Sequence, residues 1–120
     1  MNPAAAKRGD TIEATDTHLL PDSTPISLKF KGVIDSGLCD SVLIMDQPSA
    51  TQDSGASNIP PHPGAFLRPP SNKGRIILGS QSVLIDDKPA ARDGDMASTC
   101  NDPVDLPFGT VKASGSVCIG

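Results

Sequence analysis

The sequence predicts an all-β fold made of short strands and tight turns, and three observations point there. Eleven glycines and twelve prolines stand among 120 residues, a density of turn-formers that argues against long helices. Aromatics are limited to Phe30, Phe66 and Phe108, with no Trp or Tyr, so large buried anchors are scarce. The third observation is internal repetition, which implies one stacked or pseudo-symmetric body spanning residues 1–120 as a single domain.

The clearest unit is Ser82-Val83-Leu84-Ile85-Asp86-Asp87-Lys88-Pro89-Ala90-Ala91-Arg92-Asp93-Gly94-Asp95. Its aliphatic run reads as a strand, Asp-Asp-Lys-Pro as a turn, and Asp-Gly-Asp as a place where glycine admits a backbone that other residues resist. Shifted by forty-one residues, Ser41 to Ala50 lies over Ser82 to Ala91 with the apolar triplet, acid and proline in register. Ala5 to Asp10 repeats Ala90 to Asp95, and Gly115 to Gly120 repeats the strand before the chain stops. The glycine-bounded runs 32–37, 74–79 and 109–115 precede the three strands. About two and a half copies result, with half-repeats at the ends.

In chain order, residues 1–18 carry the first half-repeat. The alternating Ile26-Ser27-Leu28-Lys29-Phe30 reads as a strand, and 32–53 form the second repeat with Asp35-Ser36-Gly37 as a turn. Residues 54–72 hold Ile-Pro-Pro-His-Pro-Gly and Arg-Pro-Pro-Ser-Asn. Missing amide donors make that stretch a loop or polyproline conformation, and on its own it reads as a solvated linker. Residues 73–100 are the best-preserved repeat, and 101–120 close the sheet.

Composition excludes several function classes. The net charge is −4 with both signs scattered, and without a basic stripe or stacking aromatics nucleic acid is not an expected partner. No apolar run approaches the eighteen or so residues of a membrane helix, and the first ten residues lack the apolar core of a signal peptide. A cytoplasmic origin is expected, with export only by a dedicated machine. Three cysteines in a reducing compartment do not suggest a disulfide framework.

Spacing suggests a metal. His18 lies eight residues after Asp10, and His62 eight after Ser54, which stands where Asp95 does in the other copy. Cys100 lies five residues after Asp95. Loops from repeats arranged about a pseudo-threefold axis would bring His18, His62 and Cys100 to one point. Imidazole and thiolate together suit Zn²⁺ and, less often, Fe²⁺. The fourth ligand stays open among Cys118, Cys39, Asp102, Asp16 and a water. Cys118 and Cys39 read as small buried hydrophobes in or near strands.

The segments Ala-Ala-Lys-Arg-Gly-Asp and Pro-Ala-Ala-Arg-Asp-Gly-Asp, each linked to a Val-Leu-Ile type strand, resemble the proline-alanine-alanine-arginine (PAAR) repeat proteins. The copy at 48–54 departs from the pattern, with Thr51 and Gln52 in place of Arg92 and Asp93. The resemblance implies a small conical pseudo-threefold cap with zinc near its vertex, in a family that usually uses three histidines and a cysteine. It implies a structural tip, not an enzyme, seated by its broad base on a trimeric VgrG-like spike, one copy per trimer. Transient contact with a target membrane is expected, in a type VI secretion system, an extracellular injection particle or a phage tail. The protein would be cytoplasmic until assembled, then at the spike tip and delivered outside the cell or into the target. With its motifs reaching both ends, the chain reads as a bare tip. The triplets Val42-Leu43-Ile44 and Val83-Leu84-Ile85 are the candidate base contacts. Two other readings are a small zinc-dependent hydrolase, for which the only glutamate is Glu13, and a proline-rich module using 59–63 and 68–70.

Overall fold

A computed structural model describes residues 2–120, and among them there is no helix. Ten strands follow in order: β1 (Thr11–Leu19), β2 (Pro25–Ser36), β3 (Cys39–Ile44), β4 (Gln47–Ser49), β5 (Gly55–Asn58), β6 (Lys73–Ile76), β7 (Leu84–Ile85), β8 (Lys88–Pro89), β9 (Met96–Thr99) and β10 (Leu106–Lys112). Six of them close a barrel in the order β1-β10-β9-β6-β5-β2, every pair antiparallel. The body is elongated, 46 × 22 × 22 Å.

The repeats become three out-and-back strand pairs, β1/β2, β5/β6 and β9/β10, each launched from one motif copy. At each copy the chain makes the same turn. The amides of Asp10, Ser54 and Asp95 donate to the carbonyls of Lys7, Thr51 and Arg92 at 3.0–3.1 Å. The side chains return the bond: Lys7 N–H donates to Asp10 Oδ2 (3.0 Å), Thr51 N–H to Ser54 Oγ (2.9 Å) and Arg92 N–H to Asp95 Oδ2 (2.7 Å). The departing copy therefore keeps the turn with a hydroxyl where the others use a carboxylate. The residue before the cap has positive φ in all three: Gly9 (92°), Asp53 (78°) and Gly94 (88°). Glycine takes that conformation without strain.

These turns converge on the axis. The Ala6 amide donates to Ala91 O (2.9 Å), Ala91 to Ala50 O (3.0 Å) and Ala50 to Ala6 O (3.0 Å). The three buried alanines thus form a closed ring of backbone hydrogen bonds. Ile34, Ile76 and Val111, one from each returning strand, bond the motif turns in equivalent fashion and are fully buried.

Alternation along the barrel strands aims every second residue inward. In β1 the inward set runs Ile12, Ala14, Asp16, His18, so one strand passes from apolar core to polar cluster. Equivalent positions on β5 and β9 place Ala56 and Ala97 inside. Phe30 fills the middle, and Gly32 and Gly74 face it so closely that a Cβ would meet its ring at 2.6 and 3.2 Å.

Below the ring lie two hairpins, β3/β4 and β7/β8, turning through Met45-Asp46 and Asp86-Asp87 with positive φ at both residues. That is the two-residue turn whose twist suits paired strands. The third position is taken by the chain ends, where Ala4 pairs with Cys118. Two terminal half-repeats thus complete three units, where the sequence alone counts two and a half. Ala5, Ala90, Ile44 and Ile85 form a second small core there.

Ser49 occupies the place of Ala5 and Ala90. Its hydroxyl is buried with no hydrogen-bond partner, and such a group costs about 1–3 kcal/mol. Ser49→Ala should therefore stabilise the protein by about 1 kcal/mol, read as a raised midpoint in urea at unchanged slope. A lower midpoint would show that the hydroxyl is satisfied.

Candidate metal centre

The ends of the outward strands and the loops beyond them gather at the end of the barrel away from the hairpins. β1 brings Asp16 and His18, the chain just past β9 brings Cys100, and the proline-rich loop between β5 and β6 brings His62. All four are buried, and one ligand atom from each lies within 4.8 Å of the others. His62 Nε2 is 3.0 Å from Asp16 Oδ2, Cys100 Sγ is 3.5 Å from the same oxygen, and Cys100 Sγ is 3.7 Å from His18 Nε2. A tetrahedral zinc site with Zn–N and Zn–O near 2.0–2.1 Å and Zn–S near 2.3 Å has ligand-to-ligand edges of about 3.3–3.8 Å. The donor set suits a divalent metal, and the three short separations of 3.0, 3.5 and 3.7 Å are near those edges.

The structure thus brings His18, His62 and Cys100 together and adds Asp16 as the fourth donor. Among the residues left open by the sequence, Asp16 is the one inside the cluster. Its other oxygen accepts from Thr99 Oγ1 at 2.6 Å, which fixes the carboxylate. Inward alternation from Ile12 was the available signal, because Asp16 and His18 share a face of one strand. Asp102 stands outside, its Oδ2 3.5 Å from His18 Nδ1.

Cys39 and Cys118 lie at the hairpin end, outside the cluster. Neither is the buried residue expected. Cys118 is exposed, like Leu43 and Leu84 at the matching hairpin positions, because that position faces outward. Cys39 is half-buried, its thiol 3.2 Å from the Ser41 hydroxyl, which lowers its pKa.

Residues 54–72 are likewise not a solvated linker: Gly55–Asn58 form barrel strand β5, paired on both sides, and the rest packs over the cluster. The His62 amide donates to Asn72 Oδ1 (2.7 Å), and Phe66 packs on His18 with ring centroids 5.4 Å apart. His18 and His62 meet edge-on at 5.2 Å.

Electrostatics favour a cation. Burial, followed by the charge of Asp16, pushes the Cys100 thiol up to about 11 without metal. A metal displaces that proton and supplies the positive charge that a buried carboxylate and thiolate together require. Asp102 is also buried, which raises its pKa. The Leu19 amide and Arg68, helped by His18, outweigh burial and hold it below the usual carboxylate range.

With this geometry in place, the match of residues 68–120 to the family model for the PAAR motif is informative. The chain carries a PAAR motif. The match covers the C-terminal part of the chain and supports a PAAR-repeat protein. The matched stretch holds one of the motif turns and Cys100. The two upstream turns, with the same hydrogen bonds, extend the PAAR pattern through residues 7–10 and 51–54. No curated protein matches the chain.

Two outcomes follow for this PAAR centre. His18→Ala, His62→Ala, Cys100→Ser and Asp16→Asn should each lower bound metal well below one per chain by elemental analysis, and lower the melting temperature as chelation of the wild type does. The second concerns pH. The Cys100 thiol is harder to ionise in the folded metal-free chain, where its pKa is about 11 against an ordinary 9.0. Its contribution is intact below pH 9 and is lost as pH rises toward 11. Metal-free protein should lose stability over that window, and Cys100→Ser should flatten the slope. An equal slope in the variant would assign the effect elsewhere.

Proposed function

We propose that this protein is the tip cap of a contractile injection spike. One copy sits by its hairpin end on a trimeric VgrG-like needle, with a metal pinning the opposite end. The observation that carries the reading is the threefold recurrence in a single chain. A trimer of identical subunits presents three identical surfaces around its axis, and a lone chain matches them all only by repeating its own features about that axis. The alanine ring provides the axis. Around it, Leu43 and Leu84 are 57% and 62% exposed at equivalent hairpin positions, with exposed Cys118 at the third. Exposed apolar side chains grouped at one end suit burial against a partner.

The metal is proposed as structural Zn²⁺, with Fe²⁺ as the variant that the Asp16 oxygen donor also accommodates. Four protein donors make a closed shell, whereas catalytic zinc sites keep a position open. Glu13, the only glutamate, lies exposed on the outer face of β1, outside the cluster where a hydrolase would need a base. The cap would be cytoplasmic until assembly, then carried at the spike tip to meet and puncture a target membrane.

Leu43→Asp combined with Leu84→Asp tests this directly, since both side chains are largely exposed and the fold should survive. Co-sedimentation with the cognate spike trimer should be lost while the melting temperature stays near that of wild type. Undiminished capping by a folded double variant would overturn the base as the docking face.

A further inference from the structure

We propose that Asp102 and Arg68 form a positioning pair for the metal centre: Asp102 accepts a hydrogen bond from Nδ1–H of His18, and Arg68 holds that carboxylate in place. The inference rests on the metal reading of the cluster. His18 aims Nε2 into the cluster, 3.7 Å from Cys100 Sγ. A histidine that gives Nε2 to a metal carries its proton on Nδ1, and a carboxylate or carbonyl commonly receives it. Nδ1 of His18 is buried and has no well-formed hydrogen bond. The group facing it is Asp102 Oδ2, at 3.5 Å, a separation that a small movement of the ring would close to a hydrogen bond.

Asp102 is held from three directions. The Leu19 amide donates to Oδ2 at 2.9 Å, and Arg68 reaches Oδ1 with Nε at 3.1 Å and Nη2 at 3.0 Å. Arg68 Nη2 also donates to Asn101 O at 2.7 Å. These partners satisfy a carboxylate whose side chain is only 3% exposed, where an unpaired charge would be costly.

Chain connectivity gives the pair its significance. Arg68 belongs to the loop that carries His62, Asp102 lies two residues past Cys100, and Leu19 follows His18. The ion pair and the Leu19 amide, meeting on one carboxylate, therefore tie together the three segments that carry the candidate ligands. Arg68 also borders a cavity of about 190 Å³ that is lined by His18, Cys100 and Asp102 and adjoins the cluster. Its side chain is 55% exposed.

The test uses Arg68→Ala, Arg68→Lys and Asp102→Asn, with Arg75→Ala as the control. Arg75 pairs with Asp53 in an exposed contact of 3.5 Å and touches none of the ligands. Each protein is loaded with Co²⁺, its visible absorption recorded, and transfer of the metal to a chelator timed. Release should be about 10- to 100-fold faster in Arg68→Ala and Asp102→Asn, the scale expected when an outer partner of a metal ligand is lost. The ligand-field bands should change in both. Arg68→Lys should recover part of the effect, and Arg75→Ala should behave as wild type.

Normal cobalt uptake with wild-type release and spectra in Arg68→Ala and Asp102→Asn would overturn the pairing and leave the metal centre standing. Wild-type protein that takes up no cobalt would overturn the metal reading, and this inference with it. ¹⁵N spectra of the metal-free wild type add a check that needs no metal. His18 should be protonated at Nδ1, and the opposite tautomer would overturn the proposal.

Discussion

Three segments of one chain meet at Ala6, Ala50 and Ala91, and each must satisfy its amide and carbonyl where no water reaches. They do so only with one another, in a ring that closes after three bonds. Buried backbone groups without partners are costly, so the three segments are held at a common height and orientation. The motif turns on one side and the hairpins on the other take their positions from that ring. All three alanines are fully buried, so a larger side chain at any of them would have to displace packed neighbours.

The narrowness set at the ring continues along the barrel. Ala56 and Ala97 occupy the layer beside Ile12, and Gly32 and Gly74 give Phe30 its room. An interior this thin buries little apolar area per residue, and the far end buries polar groups instead. Asp16, His18, His62, Thr99, Cys100 and Asp102 are all inside. Such a cluster is a poor core without a cation and a well-satisfied one with it. A metal cross-link there would do what large side chains do in wider domains.

The three units are not equal, and their differences are local. Ser54 caps its turn through a hydroxyl, donating onward to Gly37 O at 2.8 Å, where Asp10 and Asp95 accept from Lys7 and Arg92. Asp53 takes a positive φ that glycine takes in the other copies. The first unit extends into the long β1/β2 hairpin, whereas the second and third give way to loops. Those longer excursions are where the ligands sit, so the asymmetry of the chain falls mainly at the metal end and its symmetry at the hairpin end.

The all-β class, the repeated turn and the grouping of His18, His62 and Cys100 as candidate ligands were legible in the sequence because each depends on local chemistry. Glycine and proline dictate turns within a few residues, and a similar spacing after each motif copy carries His18, His62 and Cys100 toward the same end of the barrel. The closed ring of alanines, the choice of Asp16 over Asp102 and the exposure of Cys118 were decided only by the tertiary structure. Each depends on which segments, distant in sequence, come to lie against one another. Asp16 and Asp102 are both acids near a proposed ligand, and only the inward face of β1 separates them. Cys118 carries the pattern of a buried strand residue, yet the hairpin it completes turns that face to solvent.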